Sequence, residues 1–338
     1  FASRRSCRNL GDGTSQCFPD IMLVGASKAG TTSVTAALKH HPYVDMQRHF
    51  GLNLGNKPLG DEVHIFDFHH VSHKVMTTWH WDSAPVISQE RVAEALQLHY
   101  TPNYMYYPDA PFNIYDVYPN VNSIKYLFMV RDPTRRAVSG WKYHRQLSME
   151  LRSFKKVVDD GISERHNLEA CYEVALRRAN ATVKHVEDLP MRAQKKVISE
   201  CFWGRSNTHD TTTIPGPPIQ VMHAQVDKGI YVDQLRRWFK IVGRENCFVF
   251  SLEEWAANET AVFMDIMNFT GLQGLGPHGY TDMETLNRTL QARYNDGDGF
   301  FSLVPQPSEP SQHLKDKLDN FFKPYNEELF KLVGRRLF

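Results

Sequence analysis

The strongest constraint on this chain lies in residues 21–40, Ile-Met-Leu-Val-Gly-Ala-Ser-Lys-Ala-Gly-Thr-Thr-Ser-Val-Thr-Ala-Ala-Leu-Lys-His. Ile21 to Val24 is a short apolar run with the length of a buried strand. Gly25 and Gly30 bound a turn that holds Lys28. From Thr31 the pattern is helical: Val34, Ala37 and Leu38 share a face, and Pro42 lies just past the end. Strand, glycine loop and helix together make a cradle for a phosphate-like anion. N–H groups at a helix start point at such an anion, and the helix dipole favours negative charge there.

The loop departs from the nucleotide-triphosphate pattern of Gly, four residues, Gly, Lys, then Ser or Thr. Gly25 and Gly30 have that spacing, but Thr31 stands where the lysine belongs, and Lys28 lies inside the loop. No later strand offers an obvious magnesium-binding Asp. The clearest one, Ile124 to Val130, runs into Arg131. The expectation is a phosphate-type cradle without the metal machinery of an ATPase. The competing reading is an ordinary tight turn.

The length of 338 residues suffices for a large α/β core, and 41% hydrophobic with 23% charged residues is ordinary for a globular chain. A formal net charge of +1 gives no overall basic field of the kind that marks nucleic-acid binding. No apolar run approaches the ~20 residues that span a bilayer. Because the chain starts at Phe1, any signal or membrane anchor is expected in a segment ahead of it. Of five cysteines, Cys7 and Cys17 can close a small loop, and Cys171 and Cys201 a larger one. Cys247, in an apolar run, reads as a free buried thiol. Four N-x-[ST] sequons occur, at Asn180, Asn258, Asn268 and Asn287. With pairable cysteines they point to a secretory-pathway lumen, the alternative being a cytosolic protein with reduced thiols.

Along the chain, residues 1–20 read as an extended lead-in and residues 41–61 as loop. In Asp61-Glu62-Val63-His64-Ile65-Phe66-Asp67 acidic and apolar residues alternate, as at a strand end facing a cleft. On a strand, Glu62 and His64 would point to one side, a pairing suited to acid/base work; a solvated strand edge is the bland reading. His69, His70, His73 and His80 follow, but no i,i+4 pair with a carboxylate stands out, and no metal is expected. Gln89 to Leu98 reads as a helix. Tyr104, Tyr106 and Tyr107 can line a sugar or nucleotide site or form a structural cluster. Arg131 at a strand end and Ser139 on the helix begun by Pro133 can both face a phosphate. Residues 141–204 are expected to be mostly helical, 205–227 a long loop, and 273–312 loop. Helices are expected at Tyr231 to Val242, at Thr260 to Phe269, and at Leu314 to Val333 with a break at Pro324. Strands alternating with helices imply a mostly parallel sheet with both faces covered, in one α/β domain.

Several of these stretches together resemble the PAPS-dependent carbohydrate sulfotransferases, especially the heparan-sulfate branch. Lys28-Ala-Gly-Thr-Thr is similar to that family's loop for the 5′-phosphosulfate. Arg131-Asp-Pro-Thr-Arg-Arg-Ala-Val-Ser139 is similar to its 3′-phosphate motif. Glu62-Val-His-Ile-Phe-Asp67 resembles the segment with the catalytic base. Gly229-Ile-Tyr-Val-Asp-Gln-Leu-Arg-Arg-Trp238 and Phe330-Lys-Leu-Val-Gly-Arg-Arg336 resemble its central helix and C-terminal signature. The resemblance covers about residues 20–140 and 228–338. It departs at Tyr100, where the family often has lysine, and at residues 290–312, which lack the usual Lys-Gly-Arg and late cysteine.

The resemblance implies a P-loop-type α/β fold for residues 21–338, with 145–227 a divergent, mostly helical insertion. It implies sulfuryl transfer from PAPS to a carbohydrate hydroxyl, on a polysaccharide or glycosaminoglycan-like acceptor, without metal. The implied catalytic residues are Glu62, Lys28 and His64. The implied cofactor contacts are Lys28, Ala29, Gly30, Thr31, Thr32, Ser33, Arg131 and Ser139, with PAP as product. The implied location is the Golgi lumen. A non-catalytic glycan-binding pseudo-sulfotransferase and a P-loop small-molecule kinase are the alternatives.

Overall fold

A computed structural model describes residues 6–47, 53–54, 57–58, 62–69, 71–179, 182–204, 224–276, 279–280, 282–291 and 307–338. Asp61, His70, the sequon at Asn180, residues 205–223 of the expected long loop and residues 292–306 lie outside the described residues. The strands are β1 (Cys7–Asn9), β2 (Thr14–Cys17), β3 (Ile21–Gly25), β4 (Val44–Met46), β5 (Asn53–Leu54), β6 (Lys57–Pro58), β7 (Ile87–Ser88), β8 (Leu96–Tyr100), β9 (Lys125–Val130) and β10 (Cys247–Ser251). The helices are α1 (Thr31–Lys39), α2 (His73–Ser83), α3 (Gln89–Glu94), α4 (Ala110–Val117), α5 (Pro133–Gln146), α6 (Phe154–Arg178), α7 (Met191–Ile198), α8 (Tyr231–Val242), α9 (Leu252–Ala257), α10 (Glu259–Thr270), α11 (Met283–Gln291) and α12 (Gln312–Val333). Contacts divide the chain into two compact units. One comprises Phe1–Val130, Val242–Gly299 and Leu337–Phe338; the other comprises Arg131–Ile241 and Phe300–Arg336.

The first unit is built on a five-stranded sheet in the order β10-β9-β3-β8-β4, every pair parallel. Parallel strands are covered on both faces, so they read as continuous apolar runs. Ile21 to Val24 and Tyr126 to Val130 have no exposed surface, and each such large apolar side chain contributes roughly 1.5–3 kcal/mol. This is the α/β sheet with flanking helices that the alternation of elements implies.

Gln89 to Leu98 is not one helix. The helix stops at Glu94, and Leu96–Tyr100 is a strand between β3 and β4. Gln97 and His99 are wholly buried there, so two polar residues sit where a covered strand usually shows apolar ones. The expected loop at 273–312 contains α11, where Leu286 and Leu290, four apart, are both buried and Asp282 accepts from Thr285 N at 2.7 Å. An antiparallel hairpin of β1 and β2 places Cys7 opposite Cys17, and a disulfide joins them. Cys247 is a free buried thiol, as its apolar run implies.

The second unit is helical, as expected for 141–204. Asp132 caps α5 by accepting from Arg135 N at 2.8 Å, and Pro133 occupies the first helical position, where its missing N–H costs nothing. A disulfide from Cys171 on α6 to Cys201 staples a small core of Leu168, Ala175, Val186, Leu189 and Val197. Arg165 on α6 is buried and paired with Glu169 (2.9 Å), Asp227 (3.3 Å) and Asp233. Pro324 does not break α12, which runs through it. Asn320 and Pro324 are both exposed, so the carbonyl that proline cannot bond lies on a solvent-facing stretch of the helix.

Candidate active site

β3 ends at Gly25, and a Cβ there would lie 2.4 Å from Met105 Cβ and 3.0 Å from Pro102 O. Only glycine lets the chain at 102–105 cross the strand end this closely. The loop then passes through Lys28 (φ 67°) and Gly30 (φ 92°), both left-handed. That conformation costs a lysine about 1 kcal/mol, so the surroundings hold it: Ala26 N donates to Met129 O at 2.5 Å and Ala29 N to Ala26 O at 3.1 Å. Left-handed residues among right-handed ones curve successive N–H groups into an anion-binding concavity.

Gly30 is the N-cap of α1 and contributes no side-chain cap. The amides of the first helical turn have no intrahelical partner, so an anion suits them. A Cβ on Gly30 would meet Leu252 Cδ1 at 2.8 Å and Met129 Cε at 3.2 Å. The expected cofactor contacts Lys28, Ala29, Gly30, Thr31, Thr32 and Ser33 all lie in this loop and the first turn of α1, a setting that suits an anion. Ser33 N donates back to Gly30 O at 3.1 Å, so its amide serves the turn itself.

Residues 62–68 are not a strand. Val63, Ile65 and Phe66 are all wholly buried, which strict alternation does not allow, and His64 at φ 53° turns the chain. Glu62 and His64 meet nonetheless, by that turn rather than by strand geometry. Glu62 Oε2 lies 2.8 Å from His64 Nε2, and Asp67 Oδ2 lies 2.6 Å from His64 Nδ1. Glu62 and His64 keep 33% and 28% of their side-chain surface, whereas Asp67 keeps 3%. Asp67 is a site residue that sequence reasoning passed over; its spacing of three from His64 was the available signal.

Burial disfavours the His64 imidazolium, but Asp67 and Glu62 outweigh it and raise its pKa to about 10. The sign follows directly. A histidine that titrates near 6.5 unfolded and near 10 folded stabilises the fold fully below about pH 6.5 and ceases to do so as pH rises to about 10. The contribution is at most about 5 kcal/mol. Thermal melts from pH 6 to 10.5 should show an alkaline decline that is much smaller in His64→Asn. An equal decline in both proteins would contradict the pairing.

Tyr100, in the place of the resembled family's lysine, is buried at the end of β8, with its hydroxyl 3.0 Å from Thr31 Oγ1. Tyr104, Tyr106 and Tyr107 are buried too, so they form a structural cluster rather than an open stacking surface. His69 pairs with Asp109, His73 with Asp116 at 3.2 Å, and buried His80 stacks on Phe18. Among the described residues no group of three or more His, Cys, Asp and Glu is arranged to hold a metal ion. Arg131 directly follows β9, and its carbonyl accepts from Tyr231 Oη at 2.9 Å; Ser139 is half-buried on α5. Both belong to the second unit.

The family model described as "Sulfotransferase domain" matches residues 18–292. A carbohydrate sulfotransferase 15 of Nototodarus sloanii is 24% identical over 103 residues, which are 30% of this chain and 60% of that relative, so the match leaves over a third of the relative uncovered. A sulfotransferase from Alicyclobacillus acidocaldarius superposes with a TM-score of 0.53 at 19% identity, over 94% of this chain and 96% of that one, a likeness of fold. With its cradle, its parallel sheet and a family match over most of its length, the chain belongs to the sulfotransferase domain family.

Proposed function

We propose that the protein transfers a sulfuryl group from PAPS to a hydroxyl of a carbohydrate, with a polysaccharide or glycosaminoglycan-like chain as acceptor. One observation carries this reading. Within a single unit, a glycine-capped anion cradle and a half-buried carboxylate bridged to a buried one by His64 are linked through the stretch Tyr100–Met105. The carbohydrate class draws support from the likeness to the carbohydrate sulfotransferase 15 of Nototodarus sloanii.

PAPS supplies the sulfuryl group and leaves as PAP. Lys28 and the amides of Gly30, Thr31 and Thr32 hold the phosphosulfate and stabilise charge gathering on the bridging oxygen. Glu62 takes the proton of the acceptor hydroxyl, and its carboxylate reach and exposure suit that task. His64, held by Asp67, orients Glu62 and keeps a positive charge beside it. Arg131 and Ser139 take the 3′-phosphate, Arg131 as a charged fork and Ser139 as a hydroxyl donor. Residues 21–338 act as the catalytic domain, with 145–227 an insertion. The disulfides Cys7–Cys17 and Cys171–Cys201 suit an oxidising compartment and support a Golgi-lumen location. No helix among the described residues is long and apolar enough to cross a membrane.

The test is calorimetric titration with PAP and, separately, ADP, in buffer without magnesium. Binding of PAP at least about tenfold tighter than ADP is expected, since the 3′-phosphate, which ADP lacks, meets a charge-assisted site worth roughly 1.5–3 kcal/mol. Equal binding of the two would remove the Arg131–Ser139 assignment. Tight ADP binding that requires magnesium would favour a kinase.

A further inference from the structure

Among the described residues, the segment that carries Glu62 and His64 pairs with no strand as a ladder; a single amide, Val63 N, reaches the end of β8. Four consecutive N–H groups end instead on two side-chain oxygens. Thr101 Oγ1 accepts from Val63 N at 3.1 Å and from His64 N at 3.0 Å. Tyr104 Oη accepts from Ile65 N at 2.7 Å and from Phe66 N at 3.2 Å. Backbone adds one further bond, Val63 N to Tyr100 O at 2.9 Å.

A hydroxyl has one proton and two lone pairs. With both lone pairs engaged, each proton must go elsewhere. Thr101 donates to Tyr100 O at 2.6 Å, and Tyr104 donates to His99 Nε2 at 3.1 Å. His99 must then be neutral, with its own proton on Nδ1 facing Gln47 Oε1 at 2.5 Å. Complete burial holds His99 well below the ordinary histidine range, which agrees with this polarity. Every group in the chain from Gln47 through His99 and Tyr104 to the amides of Ile65 and Phe66 thus has one permitted direction.

The same stretch is referenced to the cradle. Thr101 N donates to Leu23 O at 3.1 Å and Met105 N to Val24 O at 2.7 Å, on the strand that leads into the anion loop. Tyr100 Oη reaches Thr31 Oγ1 at the start of α1.

We propose that Thr101 and Tyr104 are positioning residues, whose hydroxyls fix the Glu62–Asp67 segment at a set place relative to the anion cradle. The proposal rests on the reading of Glu62 as the base. Both side chains are wholly buried. Their effect is on where the Glu62 carboxylate and the His64 imidazole sit.

The test uses Tyr104→Phe, which keeps the ring packed against Phe66 and His99 but removes the hydroxyl, together with Thr101→Val and Thr101→Ser. Displacing a catalytic group by about 1 Å lowers the rate about 100-fold. Tyr104→Phe and Thr101→Val should therefore reduce kcat by roughly 30- to 300-fold, with acceptor KM and PAP affinity changed by less than about threefold. Thr101→Ser should recover most of the loss seen in Thr101→Val. A second readout is independent of activity. The ring 15N signals of His64 should titrate near pH 10 in the wild type and at clearly lower pH in Tyr104→Phe and Thr101→Val, because Asp67 and Glu62 no longer bracket the ring. If Tyr104→Phe does not fold, the Thr101 pair decides. Unchanged kcat with an unchanged His64 titration would overturn the proposal, as would loss of PAP affinity in step with kcat, which marks general loosening. A wild type that transfers no sulfuryl group would sink the functional reading instead, while the His64 titration would still decide the positioning role.

Discussion

Glu62→Gln should leave a protein that binds PAP like the wild type and transfers almost nothing. The substitution keeps the side chain's length and an oxygen to accept from His64 Nε2, now 2.8 Å from Glu62 Oε2, so the 62–67 segment keeps its path. Asp67 remains on the other ring nitrogen and continues to hold the imidazole. What disappears is the basic lone pair that the proposed mechanism uses to take the acceptor proton. Loss of a general base costs about 10²–10⁴ in rate, and the expectation here is a fall of about 10³-fold in kcat. PAP affinity by calorimetry should stay within about twofold, because uniform binding is untouched. A variant that loses PAP binding, or one that turns over at a tenth of the wild-type rate, would remove Glu62 from the role of base.

Lys28→Ala is the second large effect, and it differs in kind. Lys28 sits at φ 67° inside the cradle, with its amine tethered to a loop whose backbone already favours anions. If Lys28 has the proposed leaving-group role, its removal costs about 10²–10³ in kcat. It should also weaken PAP binding by about 10- to 100-fold, the range for a lost charge-assisted hydrogen bond. The two variants therefore separate on one plot: Glu62→Gln moves rate alone, and Lys28→Ala moves rate and affinity together. Lys28→Arg should not restore function, since a planar fork replaces a compact ammonium. If Lys28→Ala kept wild-type kcat, the leaving-group role would fall and the lysine would serve only the loop.

The parts of the molecule that were legible in sequence were those where local pattern and tertiary context agree. Ile21–Gly25 and Lys125–Val130 are apolar throughout because both faces of the sheet are covered, and Tyr231–Val242 shows a clear helical stripe. β8 was hidden because Gln97 and His99 are buried by hydrogen bonding rather than by apolar character, which no periodicity reveals. The break expected at Pro324 failed because the carbonyl left without a bond lies on a solvent-facing stretch of the helix. In the site, Gly25, Lys28, Gly30, Glu62 and His64 stood out as chemical types at informative spacings. Asp67 and Thr101 did not, and Tyr104 stood out only as one of an aromatic stretch. Their roles arise from a left-handed residue at 64 and from a stretch some forty positions away, and neither is written in local sequence.

The way Gly30 is backed carries a consequence for how the chain comes to be made. Its surroundings include Met129 and Leu252, and β3 lies between strands that begin only at Leu96 and Lys125. A residue from the last third of the sequence thus packs beside the loop near the amino terminus. Loop-closure entropy must be met over these long separations before any contact rewards it, which slows assembly and exposes apolar strands in the interval. A nascent or proteolytically shortened chain ending before Leu252 would carry the whole anion-loop sequence without the side chain that backs Gly30, so the setting of the loop belongs to the completed fold and not to the motif.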